Sequence, residues 1–307
     1  MTVNFLFVSD DKYVKNLGIC TCSVMYNMCP NVDKVKMYIM DCGITEKNKV
    51  RLIRQAERFH NAEIHFHDID TLLDSVKPKK ETKWHKSIYG RLFLNEILKQ
   101  YDDIDRIIYL DGDIILTQPV AELFDMDMRG KCIAGVRDCD ETVRKHSLHM
   151  EEGKIYINSG VLVIDTKRWV EIDAGHRIIE YINSFSEELP YPDQDAINQV
   201  LFDEIIAIPL KYNFFWMICD RDIPKMLNER ELTYSGEEIY EGLHNAKVIH
   251  FAGHDMWSMY GSSPVAIRAF IKYRNLSDWK KCRRKFYSVR DFFLWLLIFI
   301  KRKIYRD

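Results

Sequence analysis

An α/β fold with a mainly parallel, Rossmann-like central sheet flanked by helices, followed by a helical tail, is predicted by three observations. Residues 5–66 alternate short apolar runs with helical spacing in the order β-α-β-α-β. The chain has 307 residues, of which 47% are hydrophobic and 29% charged, enough to bury a large core. Its last forty residues change character and become basic and aromatic-rich.

The elements follow in order. Phe5–Val8 reads as a buried strand, and Tyr13–Met28 as a helix with Leu17, Val24 and Met28 inward. Val35–Ile39 is a second strand. Thr45 is placed to cap a helix from Glu46 to about His60, with Val50, Ile53 and Ala56 at helical spacing. Ala62–Phe66 is a third strand, and right-handed crossovers make the three parallel. A polar connector around 77–83 leads to a helix over Ser87–Tyr101. The apolar strand Arg106–Leu110 then runs directly into Asp111-Gly112-Asp113. Further strands are expected at Cys132–Val136, Gly160–Ile164, Ile205–Ile208 and Val248–His250, and helices at Arg168–Ser184 and Asp195–Leu201. Residues 217–247 give no clear pattern. The chain divides into a sheet domain, 1–262, and a tail, 263–307.

Charge excludes some functions. The net charge is −2, which argues against a nucleic-acid partner. Residues 268–307 hold 13 basic and 3 acidic side chains, so an acidic body carries a basic tail. Phe292–Ile300 is an apolar run too short to cross a bilayer, which takes about 20 residues. Basic residues of 280–306 flank it. Two readings stand: a helix lying in an anionic membrane surface, or a terminal helix packed on the body or on a second subunit of a homo-oligomer. The eight cysteines lack a two-residue spacing, and Met1–Tyr13 lacks a secretory pattern, so the expectation is a cytoplasmic protein, peripheral on the inner face of the membrane.

Asp111 and Asp113 carry the strongest chemical signal. Ligands bind at the carboxyl ends of strands in open α/β sheets. Two carboxylates one residue apart can face one Mg²⁺ or Mn²⁺ from a turn, and such an ion neutralises a departing phosphate. His250, ending another apolar strand, can add a nitrogen. A nicotinamide enzyme is disfavoured because Ser9-Asp-Asp-Lys-Tyr13 stands where a Gly-x-Gly-x-x-Gly turn belongs.

At these residues the chain resembles a known family. Tyr109-Leu-Asp-Gly-Asp-Ile-Ile-Leu116 resembles the metal motif of family 8 glycosyltransferases, the glycogenin and bacterial lipopolysaccharide galactosyltransferase group. Asn158–Ile164, Tyr191–Asn198 and Ile249–Gly253 with Trp257 resemble three further motifs, in order. Val8–Tyr13 and Ser87–Leu92 also fit. The resemblance implies a GT-A fold, a UDP-sugar donor (UDP-glucose or UDP-galactose), Mn²⁺, retention at the anomeric carbon, and a glycan or glycolipid acceptor. By the same resemblance Asp111, Asp113 and His250 hold the metal, Asp10 bonds the uracil and Tyr13 stacks on it. Arg91, Asn158 and Asp193 contact the donor sugar, and Gln194 lies beside the anomeric carbon. Gly253 admits the diphosphate, and Val8 and Gly112 join the donor-binding set. Asp193 and Gln194 are the catalytic pair. A neutral amide is a poor nucleophile, which favours a same-face route over attack by Asp193 or Asp195.

The chain departs from the family's Gly-x-x-Lys-Pro-Trp pattern, reading Gly253-His-Asp-Met-Trp257 with no lysine. His254, Lys12 and Lys211 are the substitutes the sequence offers, and a non-catalytic UDP-sugar-binding protein is the alternative this gap raises. His65 and His67 share a strand face without a third metal ligand. Trp169 and Trp216 read as core. Tyr212 and Asn213 are expected near the acceptor cleft.

Overall fold

The computed structural model describes residues 1–80, 84–215, 233–253, 255–257 and 264–282. His254, Trp216, the 262/263 boundary and the tail beyond Cys282 lie outside the described residues.

The opening is as the apolar runs predict. β1 (Thr2–Ser9), β2 (Lys34–Asp41) and β3 (Ala62–Asp68) pair in parallel through α1 (Val14–Met28) and α2 (Glu46–Ala56). Side chains of β1 alternate between two cores: Val3, Phe5 and Phe7 enter one, Leu6 and Val8 the other. Burial on both faces is why the strand reads as one continuous apolar run rather than an alternation. Leu17, Val24 and Met28 of α1 are fully buried.

The chain continues through the short helix α3 (Asn95–Leu98), β4 (Arg106–Leu110), β5 (Ile114–Leu116), β6 (Ile133–Arg137), α4 (Glu141–Ser147) and β7 (Ile157–Asp165). It goes on with α5 (Thr166–Glu171), α6 (Ala174–Ser184), α7 (Pro192–Val200), β8 (Ile205–Ala207), β9 (Phe214–Phe215), α8 (Gly236–Asn245), β10 (Val248–His250) and α9 (Pro264–Leu276). The main sheet has the order β3-β2-β1-β4-β7-β6-β8. Only β7 runs antiparallel to its neighbours, so the carboxyl ends of β1, β4 and β6 share one edge. A small sheet, β5-β10-β9, stands beside that edge.

Three expectations need correction, and the inward face of α2 is added to them. Ser87–Tyr101 is not one helix: Lys86–Phe93 forms 3₁₀ turns before the short α3. Close packing accounts for this, since a β-carbon on Gly90 would stand 2.5 Å from Val8 Cγ1. Arg168–Ser184 splits at Asp173, whose left-handed φ of 50° ends α5 before α6 begins. Thr45 occupies the N-cap position of α2 without a side-chain cap bond. The acceptor there is Asp11 Oδ1, which takes the Thr45 N–H, the Thr45 hydroxyl and the Asn48 amide, all at 2.8 Å. Finally, Val50 and Ile53 are exposed, while Leu52, Gln55 and Ala56 face inward. Helical spacing alone fits either face, and Gln55 wins the inward position through a bond to Gly18 O at 2.8 Å. In the unassigned stretch, α8 opens with a capping box made by Ser235 and Glu238.

The start of the tail region is locked to the body. The Trp279 indole lies on Gly18, where a β-carbon would stand 2.2 Å from its ring. Arg51 stacks on the other side of that indole at 4.4 Å. Arg54 holds the Asp278 carboxylate at 2.6 Å, and Gln55 Oε1 accepts the Asp278 N–H at 2.9 Å. Among the described residues no helix is long and apolar enough to cross a membrane.

Candidate active site

Asp111 leaves the end of β4 with its N–H bonded to Gly160 O at 2.9 Å, which fixes where the following turn projects. Asp113, two residues on, receives the Phe251 N–H on its backbone carbonyl at 3.1 Å, tying the turn to the end of β10. These two bonds bring together three groups that are 139 residues apart at the extremes. His250 Nε2 stands 3.6 Å from Asp111 Oδ2 and 3.4 Å from Asp113 Oδ1. All three ligand atoms lie within 4.8 Å of one another.

The spacing suits a shared cation better than direct bonds. A good N–H···O bond spans about 2.7–3.2 Å, whereas adjacent ligands of an octahedral ion with bonds of about 2.1 Å stand about 3 Å apart. His250 Nδ1 bonds Asn213 Oδ1 at 2.9 Å, so the tautomer that donates there leaves Nε2 directed at the carboxylates. Two hard oxygens and one imidazole nitrogen suit Mn²⁺ or Mg²⁺. Glycine is required opposite the ring, because a β-carbon on Gly160 would stand 2.2 Å from His250 Cε1. Burial alone would lower the His250 pKa; the Asp113 and Asp111 carboxylates outweigh it and raise it. Burial likewise would raise Asp113, and His250 outweighs that to hold it low.

Arg91 occupies the next layer. Its guanidinium is buried, donates to Ser159 O at 2.7 Å and Asp111 Oδ1 at 3.0 Å, and pairs with Asp193 Oδ2 at 3.2 Å. It also lies 4.1 Å over the Tyr109 ring, whose hydroxyl donates to Asp111 at 2.6 Å. Asp193 remains raised above the ordinary carboxylate range because burial exceeds the help from Arg91.

A chain of side-chain hydrogen bonds runs from the metal cluster to α7. Asn213 Nδ2 donates to Asn158 Oδ1 at 2.9 Å, and Asn158 Nδ2 donates to Gln194 Oε1 at 3.0 Å. Gln194 Oε1 also accepts the Ser159 N–H at 3.0 Å, and Gln194 Nε2 donates to Asp138 Oδ2 at 3.2 Å and Tyr156 Oη at 3.0 Å. Tyr156 donates to Asp195 Oδ1 at 2.6 Å, and Tyr191 N–H occupies the other oxygen at 2.8 Å. Burial pushes Asp195 up to about 6.

Asp10, at the end of β1, accepts the Tyr13 N–H at 2.8 Å and lies 3.5 Å from His85 Nδ1. Tyr13 is partly exposed, and its ring borders Gly112, where a β-carbon would stand 3.0 Å from it. Val8 is buried at the strand end. Gly253 takes a left-handed φ of 75° with open space where a β-carbon would be. Of the offered cations, Lys211 Nζ lies 5.3 Å over the Tyr212 ring. Tyr212 itself bonds Glu122 at 2.8 Å. Asn213 meets His250 through its Oδ1 and Asn158 through its Nδ2. His65 and His67 pack against Tyr38 and Tyr101, with Glu63 Oε2 3.5 Å from His65 Nε2, and among the described residues they form no cluster of three ligand atoms. Trp169 is core, as expected.

Asp138, Tyr156 and Ser159 were not singled out from sequence. Asp138 follows β6 by one residue, as Asp111 follows β4, so the rule that found one would have found the other.

Comparison with known proteins agrees with this geometry. The chain is 27% identical over 277 residues to general stress protein A of Bacillus subtilis, covering 88% of this chain and 92% of that protein. It is 24% identical over 292 residues to lipopolysaccharide 1,2-glucosyltransferase of Escherichia coli K12, covering 91% and 79%. Among solved structures, WbbM bifunctional glycosyltransferase superposes with a TM-score of 0.76 at 19% identity, covering 91% of this chain and 50% of that one. The galactosyltransferase LgtC, in complex with donor and acceptor sugar analogues, gives 0.71 at 21% identity, covering 91% and 96%. These likenesses establish the GT-A fold. The model of glycosyl transferase family 8 matches residues 4–256, and the chain therefore belongs to that family of glycosyl-transfer enzymes.

Proposed function

We propose that this chain is a metal-dependent, retaining hexosyltransferase that moves glucose or galactose from a UDP-sugar to a cell-surface glycan or lipid-linked acceptor. It works at the inner, anionic face of a membrane. The observation that carries the reading is the convergence of Asp111, Asp113 and His250 at adjoining strand ends, joined by one hydrogen-bonded chain to Gln194.

Asp111, Asp113 and His250 would hold a divalent cation, which would supply charge neutralisation for the departing phosphate. The chain's own residues do the rest. Asp10 presents a carboxylate to the uracil and Tyr13 a ring face. Gly253 lets backbone approach the diphosphate in place of the family's lysine. Arg91 bonds Asp111 Oδ1 and pairs with Asp193 Oδ2, holding both carboxyl groups in place beside the donor sugar. Asn158, Asp138 and Asp193 are polar groups available to orient the ring.

Gln194 cannot leave its place easily, since its amide oxygen and nitrogen are each held by two partners. Both oxygens of Asp195 are also taken. Neither is a free nucleophile, which supports departure of UDP and arrival of the acceptor on the same face. A preorganised polar surface under the anomeric carbon stabilises the positive charge that develops there.

The test is UDP release from a panel of UDP-sugars, with Mn²⁺ and with a chelator. Release from UDP-glucose or UDP-galactose that stops on chelation is the expected outcome. Tight UDP binding with no release from any donor would favour the non-catalytic alternative.

A further inference from the structure

The helices that cover one side of the main sheet carry an unusual outer surface. α1 lies between α2 and α9, and three contacts weld the layer at its far end. Tyr26 meets Phe59 edge-on at 5.0 Å. Arg58 donates to Leu276 O at 2.9 Å, and Arg54 holds Asp278. The inner side of this layer faces the sheet, so any exposed residue on it looks outward. Val50 is 61% exposed, Ile53 40%, Tyr26 37% and Ile271 37%. Burial of the exposed parts of these groups in water-free surroundings would be favourable.

The charge around them is one-sided. Residues 14–28, 46–58 and 264–282 hold eleven Lys and Arg against three Asp and Glu; Lys49, Arg51, Arg54 and Arg58 bond Asp41, Asp278 and the Leu276 carbonyl, which leaves Lys47, Arg268, Lys272, Lys280 and Lys281 as the main charges of this face. Lys47 lies one helical turn before Val50, and Arg268 and Lys272 flank Ile271. The chain then leaves this same layer at Cys282, immediately after Trp279 is fixed on Gly18. The 25 residues that follow hold eight further Lys and Arg, two Asp, and the run Phe292–Ile300.

From these observations we propose that the outer face of α1, α2 and α9 is itself a docking surface for an anionic lipid bilayer. Val50, Ile53, Tyr26 and Ile271 enter the headgroup boundary and the basic side chains lie over anionic headgroups. Sparse apolar residues set among lysines and arginines match that boundary, because each basic group near it is attracted to the anionic headgroups and each apolar one gains by leaving water. The inference rests on the reading that the enzyme works at a membrane, and it adds a second contact, independent of the tail's own sequence. A contact made by the body itself holds the body in a fixed orientation on the bilayer.

The experiment is co-sedimentation of the 307-residue chain with vesicles of phosphatidylcholine containing about a third phosphatidylglycerol, and with pure phosphatidylcholine. The variants are Val50→Glu/Ile53→Glu and a chain ending at Cys282. The parent is expected to bind the anionic vesicles in a salt-sensitive way, and the double variant to bind about tenfold less or weaker still. Both are expected to release UDP at the same rate in vesicle-free buffer, since neither residue touches the site. The truncated chain should keep residual salt-sensitive binding that Val50→Glu/Ile53→Glu then removes. Equal partition of parent and double variant would overturn the α1-α2-α9 surface while leaving the membrane reading in place. Failure of the parent itself to bind anionic vesicles would overturn both.

Discussion

Replacing Asp113 with asparagine lowers sugar transfer by at least about a thousandfold and leaves the protein folded. The carboxylate is buried against His250 and held ionised by it, whereas the amide is the same size and brings no charge. Backbone contacts of the turn do not depend on the side chain: the Phe251 N–H still reaches the residue 113 carbonyl. What disappears is one of three ligands, and with it most of the metal affinity. Steady-state UDP release, read beside thermal unfolding of parent and variant, checks both halves. Full activity in the variant would remove Asp113 from the site.

Replacing Arg91 with methionine produces the largest stability loss, about 3–5 kcal/mol. The guanidinium is the shared partner of Asp111 and Asp193 and bonds Ser159 O besides. Methionine fills part of the volume and leaves two carboxyls without a counter-charge. The loss depends on pH with a definite sign. Asp193 already has a folded-state pKa above its ordinary value, through burial. Its penalty is therefore absent where both states are protonated, grows as pH rises past the unfolded value, and is complete above the folded one. Without Arg91 that folded pKa rises further, so the deficit is smaller at about pH 5 than at about pH 8. Urea unfolding of parent and variant at the two values measures it. A deficit that is the same at both would show that lost packing, not uncompensated charge, is the cause.

How far the sequence was legible follows from the kind of signal each residue gives. Strand ends announce themselves, because a run such as Ile107–Leu110 stops at charged residues; Asp111, Asp113 and His250 are all of that kind. Turn residues that act through a neighbour do not. Asn213 sits between a 3₁₀ turn and a two-residue strand, and its importance comes only from the approach of His250 in the folded chain. Tyr156 and Ser159 have the same character, since each matters through Gln194. Periodicity likewise located α2 but not its inward face. The choice there was made by Gln55 reaching Gly18 and by Arg51, Arg54 and Arg58 reaching the 276–279 turn, contacts with no local trace. Gly18 and Gly160 are legible only in retrospect, as the places where Trp279 and His250 need a missing β-carbon.

Calorimetric titration of the chain with UDP, first with Mn²⁺ and then after its chelation, bears most directly on the arrangement of Asp111, Asp113 and His250. Binding that requires the ion in the parent, and that is weak with or without it in Asp113→Asn, is the predicted result. UDP bound as tightly after chelation as before would mean that these three groups do not grip the nucleotide's phosphates through a cation.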